Sequence, residues 1–311
     1  MKIILTIIAF ISLLCLPVVF AEDISVDQLK QMMTASADNL TSYTYSRSAE
    51  STIIYSNESL QDKFAAIKAT KGKVNLTAQS GWWSHQLTDI GNGQVLTWQG
   101  YFLNGTEFWK EGENWTQFNI TNPDGVMADY NELPGQAQLL TYSNLLITGT
   151  QTIDGEDCYK LAGEPIPLIK ETILGTQIFA SYLSSPFPLP DEFDNRNFDF
   201  DNTSIQGNSN VSVTAWISKQ TSLLRRIEID SSLTLTPSIL KIEEQNFTIQ
   251  STLHEQTDYS NFGESVQIVL PKESQNQLPR MKGTDWRWAI FGLVVPSVSY
   301  THLTLPTKRI V

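Results

Sequence analysis

The sequence predicts an α+β protein built on one large antiparallel sheet. Three observations predict it. Apolar and polar residues alternate over strand-length stretches between Ser42 and Leu270. Turn signals suited to tight hairpins recur between those stretches, and helical spacing is confined to a few segments. No Gly/Ser-rich linker interrupts residues 24–273, so one domain is expected there, flanked by residues 1–21 and a tail, 274–311.

Taken in order, residues 1–21 (MKIILTIIAFISLLCLPVVFA) have the form of a signal peptide. Lys2 gives a positive start, Ile3 to Leu14 an apolar run, and Val19-Phe20-Ala21 a cleavage site before Glu22. An uncleaved signal anchor is the alternative. Ser12-Leu13-Leu14 lacks the small residues that a lipidation site at Cys15 needs, so Cys15 leaves with the signal and Cys158 is the one mature cysteine. No internal disulfide can then form. The mature chain opens on a short helix: Ser25 and Gln28 form a capping box, and Leu29, Met32, Met33, Ala37 and Leu40 recur on one face.

From Ser42 the period becomes strand-like, with Tyr43 and Tyr45 alternating with Ser and Thr and with Thr52–Tyr55 continuing the pattern. Leu60–Ala69 (LQDKFAAIKA) is expected as a short helix or a crossing, and Val74–Thr88 as strand again. Asn104-Gly105 is a two-residue hairpin turn, Glu111-Gly112-Glu113-Asn114 closes a second hairpin, and Asp154-Gly155 a third. Asn131–Tyr142 and Leu168–Leu183 have helical patterning, the latter behind Pro165 and Pro167. Pro186–Asn202 is a loop. Val211, Val213, Ala215 and Ile217 share a strand face, as do Leu223, Ile227, Ile229, Leu233 and Leu235, and then Phe247, Ile249 and Leu253. Ser265–Leu270 is expected as the last strand.

A formal charge of -12 and a pI near 4.7 exclude a nucleic-acid binder, which needs clustered Lys and Arg to neutralise phosphates. No catalytic constellation appears: there is no G-x-S-x-G elbow, no phosphate-cradling Gly-rich loop and no H-E-x-x-H. His85 and His254 each stand on strand-like segments and read as surface residues, and Cys158 reads as a buried structural thiol. The acidic run DEFDNRNFDFDN offers oxygen ligands to a hard cation but lacks the spacing of a calcium loop, and Arg196 interrupts it. No enzyme, metal or cofactor is expected.

The glycosylation triplet N-x-[ST] occurs at Asn39, Asn57, Asn75, Asn104, Asn114, Asn119, Asn202, Asn210 and Asn246. The 18 Asn and 59 Ser or Thr among 311 residues predict about three by composition, so the excess is consistent with a surface glycoprotein. Polar strand and turn residues of an Asn- and Thr-rich β protein are the alternative source. Aromatic residues concentrate between Trp82 and Phe118. Strand parity places Trp98 and Phe102 on one face and Tyr101 on the other, and sets Phe108 opposite Trp109, but the intervening turn leaves open which set lines an interior. Ordinary sheet core and sugar stacking are the competing uses of such a cluster.

The order of a capped helix ending in TSYTY, meandering strands, the hairpin pair YFLNGTEFWKEGENWTQF and the segment VTAWISKQTSLLRRIEI resembles the LolA/LppX-like family of extracytoplasmic lipoproteins and carriers. Trp216, Ile217, Thr221, Leu223 and Glu228 match that family's W-I-D-x-x-T-G-L-x-x-x-x-E hairpin, with Ser218 in place of Asp and Ser222 in place of Gly. The resemblance implies a strongly curved antiparallel sheet, an incomplete barrel with helices packed on its concave face, and an apolar cavity between them. On that reading Tyr43, Tyr45, Trp98, Tyr101, Phe102, Phe108, Trp109 and Trp216 bind a lipid or other apolar molecule. The alternative is a cell-surface glycoprotein, a sensor or protein-interaction module, with a filled core. Either way the chain is expected outside the cytoplasm and as a monomer, its partner an apolar ligand on the first reading and a membrane or surface protein on the second. The tail adds Trp286-Arg287-Trp288 ahead of the apolar run Ala289–Val295, which resembles a truncated membrane anchor. Its last residues, SYTHLTLPTKRIV, resemble translated non-coding sequence.

Overall fold

Long strands whose alternate residues are buried form the frame of the protein. A computed structural model describes residues 24–58, 61–120, 122–183, 207–239 and 246–276. The signal segment, the acidic run and the tail beyond Asn276 lie outside the described residues. Helix α1 (Val26–Asp38) leads into β1 (Ser42–Asn57), β2 (Gln61–Asn75), β3 (Ser80–Asp89), β4 (Val95–Leu103), β5 (Thr106–Glu111) and β6 (Asn114–Asn119). Two short helices follow, α2 (Pro123–Tyr130) and α3 (Glu132–Thr141). Then come β7 (Ser143–Ile153), β8 (Glu156–Pro165), α4 (Pro167–Leu183), β9 (Ser209–Ser218), β10 (Leu224–Leu235) and β11 (Phe247–Ser260).

The strands form one 11-stranded sheet in the order β6-β5-β4-β3-β2-β1-β11-β10-β9-β8-β7, with every pairing antiparallel. Each strand neighbours its predecessor except β7, and the two runs meet at the centre, where β1 pairs with β11 from Thr44↔Ser260 to Asn57↔Phe247. The outer strands β6 and β7 do not pair with each other, so the curved sheet is an incomplete barrel, and α2 and α3 connect its two edges. This is the α+β architecture that the resemblance implied.

The helices lie on the concave face. The Tyr43 hydroxyl, on β1, donates to Asn131 Oδ1 at 2.9 Å and accepts the Leu133 N–H at 3.2 Å, which pins the start of α3 over the sheet centre. From α4, Gln177 donates to Ser251 Oγ at 2.9 Å and accepts from Ser231 Oγ at 2.9 Å, tying that helix to β10 and β11. Helix α1 packs on α3, and Lys30 reaches the Ser143 carbonyl at 2.7 Å. The capping box at Ser25 and Gln28 is present, with both reciprocal bonds made.

Local expectations hold for most elements and fail at four. Asn104 (φ 51°) and Gly105 (φ 72°) adopt the paired left-handed conformation of a tight hairpin, as do Asp154 (φ 48°) and Gly155 (φ 83°). The segment from Leu60 is not a helix: from Gln61 it is β2, paired with β1 along its whole length. The stretch from Val74 to Thr88 is two strands, parted by a turn at 76–79. Ser265–Leu270 is not a strand. Helix α2 was not expected; Asn122 caps it, accepting the Gly125 N–H at 3.2 Å, with Pro123 in its first turn.

Candidate functional site

Sheet register decides which aromatic residues face inward. Gly100 of β4 pairs with Trp83 and Trp109, Phe102 with Gly81 and Glu107, and Trp98 with His85. Continuing through β3 and β2 puts Trp98, Phe102 and Trp109 on the same concave face as Tyr43 and Tyr45. Tyr101 and Phe108 belong to the opposite face, where the Tyr101 ring lies 5.7 Å from Trp115 and 6.4 Å from Trp82. Trp216 also faces outward. It packs with Ile153 and Cys158, donates to Gln151 Oε1 at 3.0 Å and lies 5.3 Å from the Lys160 ammonium. Cys158 is buried, as expected, and burial pushes its thiol pKa up. The structure therefore brings five of the eight expected aromatic residues to one face and leaves Tyr101, Phe108 and Trp216 on the other.

Call the end carrying the β1–β2, β3–β4 and β5–β6 turns the upper end. The lower part of the concave face is filled by the protein itself. Tyr43, Phe102 and Tyr130 are fully buried, Trp83 and Trp109 meet edge to face at 5.2 Å, and the Tyr130 hydroxyl donates to Glu107 at 3.2 Å. Room for these rings comes from glycine: a Cβ on Gly72 would lie 2.0 Å from the Tyr45 ring, and one on Gly100 would lie 2.3 Å from Trp83.

The upper part differs. Ala66, Leu87, Ala49 and Leu253 form a separate apolar cluster, with Phe64 and Trp98 only partly buried against it. The helices make their main contacts with β3, β7, β8 and β11. Leu96, on the concave face of β4, stays 51% exposed, while Val95 (49%), beside it in the strand, faces the convex side and Ile90 (55%) stands just past the end of β3.

Between the two parts runs a buried layer of charge. Arg47 pairs with Glu132 of α3, donates through Nε to Thr257 Oγ1 at 3.1 Å and has Glu255 Oε1 at 3.4 Å. Ala49 of β1 is flanked in register by Lys68 on β2 and Glu255 on β11. Burial works against the Arg47 charge, and Glu132 and Glu255 more than offset it. Burial and the Arg47 charge together push the Lys68 pKa down to about 8. Burial raises the Glu132 pKa against the pull of Arg47, and keeps the Tyr45 and Tyr259 hydroxyls protonated well beyond the usual range. His85 is not the surface residue expected. It shares a 2.7 Å hydrogen bond with Thr70, stands between Trp83 and Trp98, and is held neutral by burial. Sequence reasoning missed this layer, although one signal was available: Arg47 and Glu255 continue the inward parity of Tyr43 and Leu253.

The likeness of this fold to solved structures is broad and shallow. LprF from Mycobacterium bovis is matched at 15% identity and a TM-score of 0.38, over 79% of this chain and 96% of that one. The lipoprotein LppX from Mycobacterium tuberculosis is matched at 16% identity and a TM-score of 0.36, over 80% of this chain and 100% of that one. A LolA-superfamily protein from Nitrosomonas europaea is matched at 10% identity and a TM-score of 0.20, over 79% and 96%. No protein-family model matches the chain, and no protein of curated function does.

On β1, β9, β10 and β11 the convex face is polar. Glu50, Thr52, Asn210, Asp230, Thr252 and His254 line an open cleft of about 320 Å³, with His254 Nδ1 2.7 Å from Asp230. Of the glycosylation triplets, Asn39, Asn57, Asn104, Asn114, Asn210 and Asn246 are exposed. Asn75 differs, because its amide donates to the Val266 carbonyl and accepts from the Ala78 N–H, both at 2.8 Å. Asn119 ends β6, and Asn202 lies outside the described residues.

Proposed function

We propose that this chain binds a lipid or another apolar small molecule on the upper concave face, in an extracytoplasmic space, as a carrier or ligand-binding surface protein. The observation that carries the reading is the part-exposed apolar surface of Phe64, Leu96 and Trp98 on the upper concave face. Covering such surface with an acyl chain gains about 25 cal/mol per Å² removed from water. Binding involves no covalent step. Tyr43, Tyr45, Phe102 and Trp109, buried below, shape the floor, while Trp98 touches the ligand. The aromatic lower core, packed to completion, favours one rival, a surface glycoprotein that binds another protein with no ligand inside.

Native mass spectrometry of the full chain, purified from a host with lipid membranes, distinguishes the two. A co-purifying lipid in near-stoichiometric amount, lost in Leu96→Asp with the fold intact, supports the binder. An apo mass together with no uptake of the neutral probe N-phenyl-1-naphthylamine overturns it in favour of the rival.

A further inference from the structure

The buried charge layer lies alongside that apolar surface: Lys68 and Glu255 share a rung of the sheet with Leu87 and Leu96, and Arg47 shares one with His85 and Trp98. Both carboxylate oxygens of Glu255 and the hydroxyl of Tyr259 have no hydrogen-bond partner among the described residues, although each residue is only 1% exposed. Arg47 reaches Glu255 at 3.4 Å, an ion-pair distance longer than most hydrogen bonds. Burying a charged acceptor without a donor is costly, and native proteins rarely leave one so. Part-exposed Trp98 and His85 connect the layer to the rim.

We infer that the ligand carries a neutral, hydroxyl-bearing head, which extends from the apolar surface across the sheet and hydrogen-bonds Glu255 and Tyr259. The inference rests on the binding reading above. Two facts select this head. Glu255 offers only acceptors, so the ligand must bring donors, and a hydroxyl donating to a carboxylate makes a strong, short bond. The layer is already balanced, Arg47 and Lys68 against Glu132 and Glu255, so a head with a net charge of either sign arrives uncompensated in a desolvated place. A carboxylate or phosphate would stand beside two glutamates. An ammonium would satisfy Glu255 but would add a third positive charge beside Arg47 and Lys68. Monoacylglycerols and glycosylated single-chain lipids have the required chemistry.

Displacement of N-phenyl-1-naphthylamine from the full chain by monolaurin, laurate and dodecylamine, which share one chain length, tests the head. Monolaurin should displace the probe at a concentration at least about tenfold lower than either charged analogue, since a site built for a hydroxyl rejects ligands lacking it. Tyr259→Phe and Glu255→Gln should shrink that gap below about threefold while leaving probe binding unchanged. Tyr259→Phe removes a hydroxyl without a partner, so its thermal midpoint should match the parent, which separates lost recognition from lost fold. Equal displacement by all three ligands, a preference for laurate or dodecylamine, or an unchanged preference in both variants overturns the inference and leaves the binding reading standing. Failure of the probe to bind at all overturns both.

Discussion

Lys68 carries its charge on a concave face where water does not reach. Burial and Arg47 hold its pKa near 8, below the unfolded value of 10.5, so the unfolded chain binds more protons than the native one across that interval. The cost of the buried charge is fully present below about pH 8 and is relieved as pH rises toward 10. Above pH 10 the sign reverses, because Tyr43, Tyr45, Tyr130 and Tyr259 stay protonated in the native state after they ionise in the unfolded one. Urea midpoints measured against pH should therefore rise from pH 8 to near pH 10 and then fall. In Lys68→Met the rise should vanish and the fall remain.

At the scale of elements, the β9–β10 turn shows how Ser218 and Ser222, which stand where the motif that the segment resembles has Asp and Gly, are accommodated. Ser218 accepts the N–H groups of Gln220 and Thr221 at 3.1 and 3.0 Å and also donates to Glu156, so a hydroxyl holds the turn. Ser222 sits at φ 58°, a left-handed conformation that costs an L-residue about 1 kcal/mol and glycine nothing. Ser222→Gly should raise the urea midpoint by about 1 kcal/mol of stability with an unchanged denaturant slope. Turns and caps of this kind were legible in the sequence because their chemistry is local. Strand β2 was not. Its inward residues Ala66, Lys68, Thr70, Gly72 and Val74 face the charge layer and the Tyr45 ring, so the apolar alternation that marks a strand is absent, while the FAAIKA segment offers good helix formers. Sheet pairing overrode that local preference. The site was half legible for a related reason. Parity separated Tyr101 from Phe102 within one strand, but which face is concave depends on pairings across β3, β2 and β1. The buried layer of Arg47, Lys68, Glu132 and Glu255 needs partners up to some two hundred residues apart.

The whole molecule is two meanders joined at one seam. β2 to β6 extend from β1, β10 to β7 extend from β11, and only the β1–β11 pairing holds the halves of the sheet together. That seam joins residues some two hundred positions apart in the chain. A sheet whose central contact is this distant should refold in milliseconds to seconds, slower than helical proteins of similar stability, as stopped-flow fluorescence of the tryptophans would read. A chain stopped after Leu235 should show no cooperative unfolding transition and should bind a dye specific for exposed apolar surface. Arg47 would then lose both Thr257 and Glu255, and β1 would present an open edge at the centre of the sheet.

The seam also sets when the protein can come into being. Because Phe247–Ser260 leaves the ribosome after every other strand of the described sheet, nothing synthesised earlier can close into the finished sheet, and its seam stays open until β11 is made. A product cut short before Phe247 keeps an unsealed centre that proteases can recognise, so the fold carries its own check that synthesis passed β11.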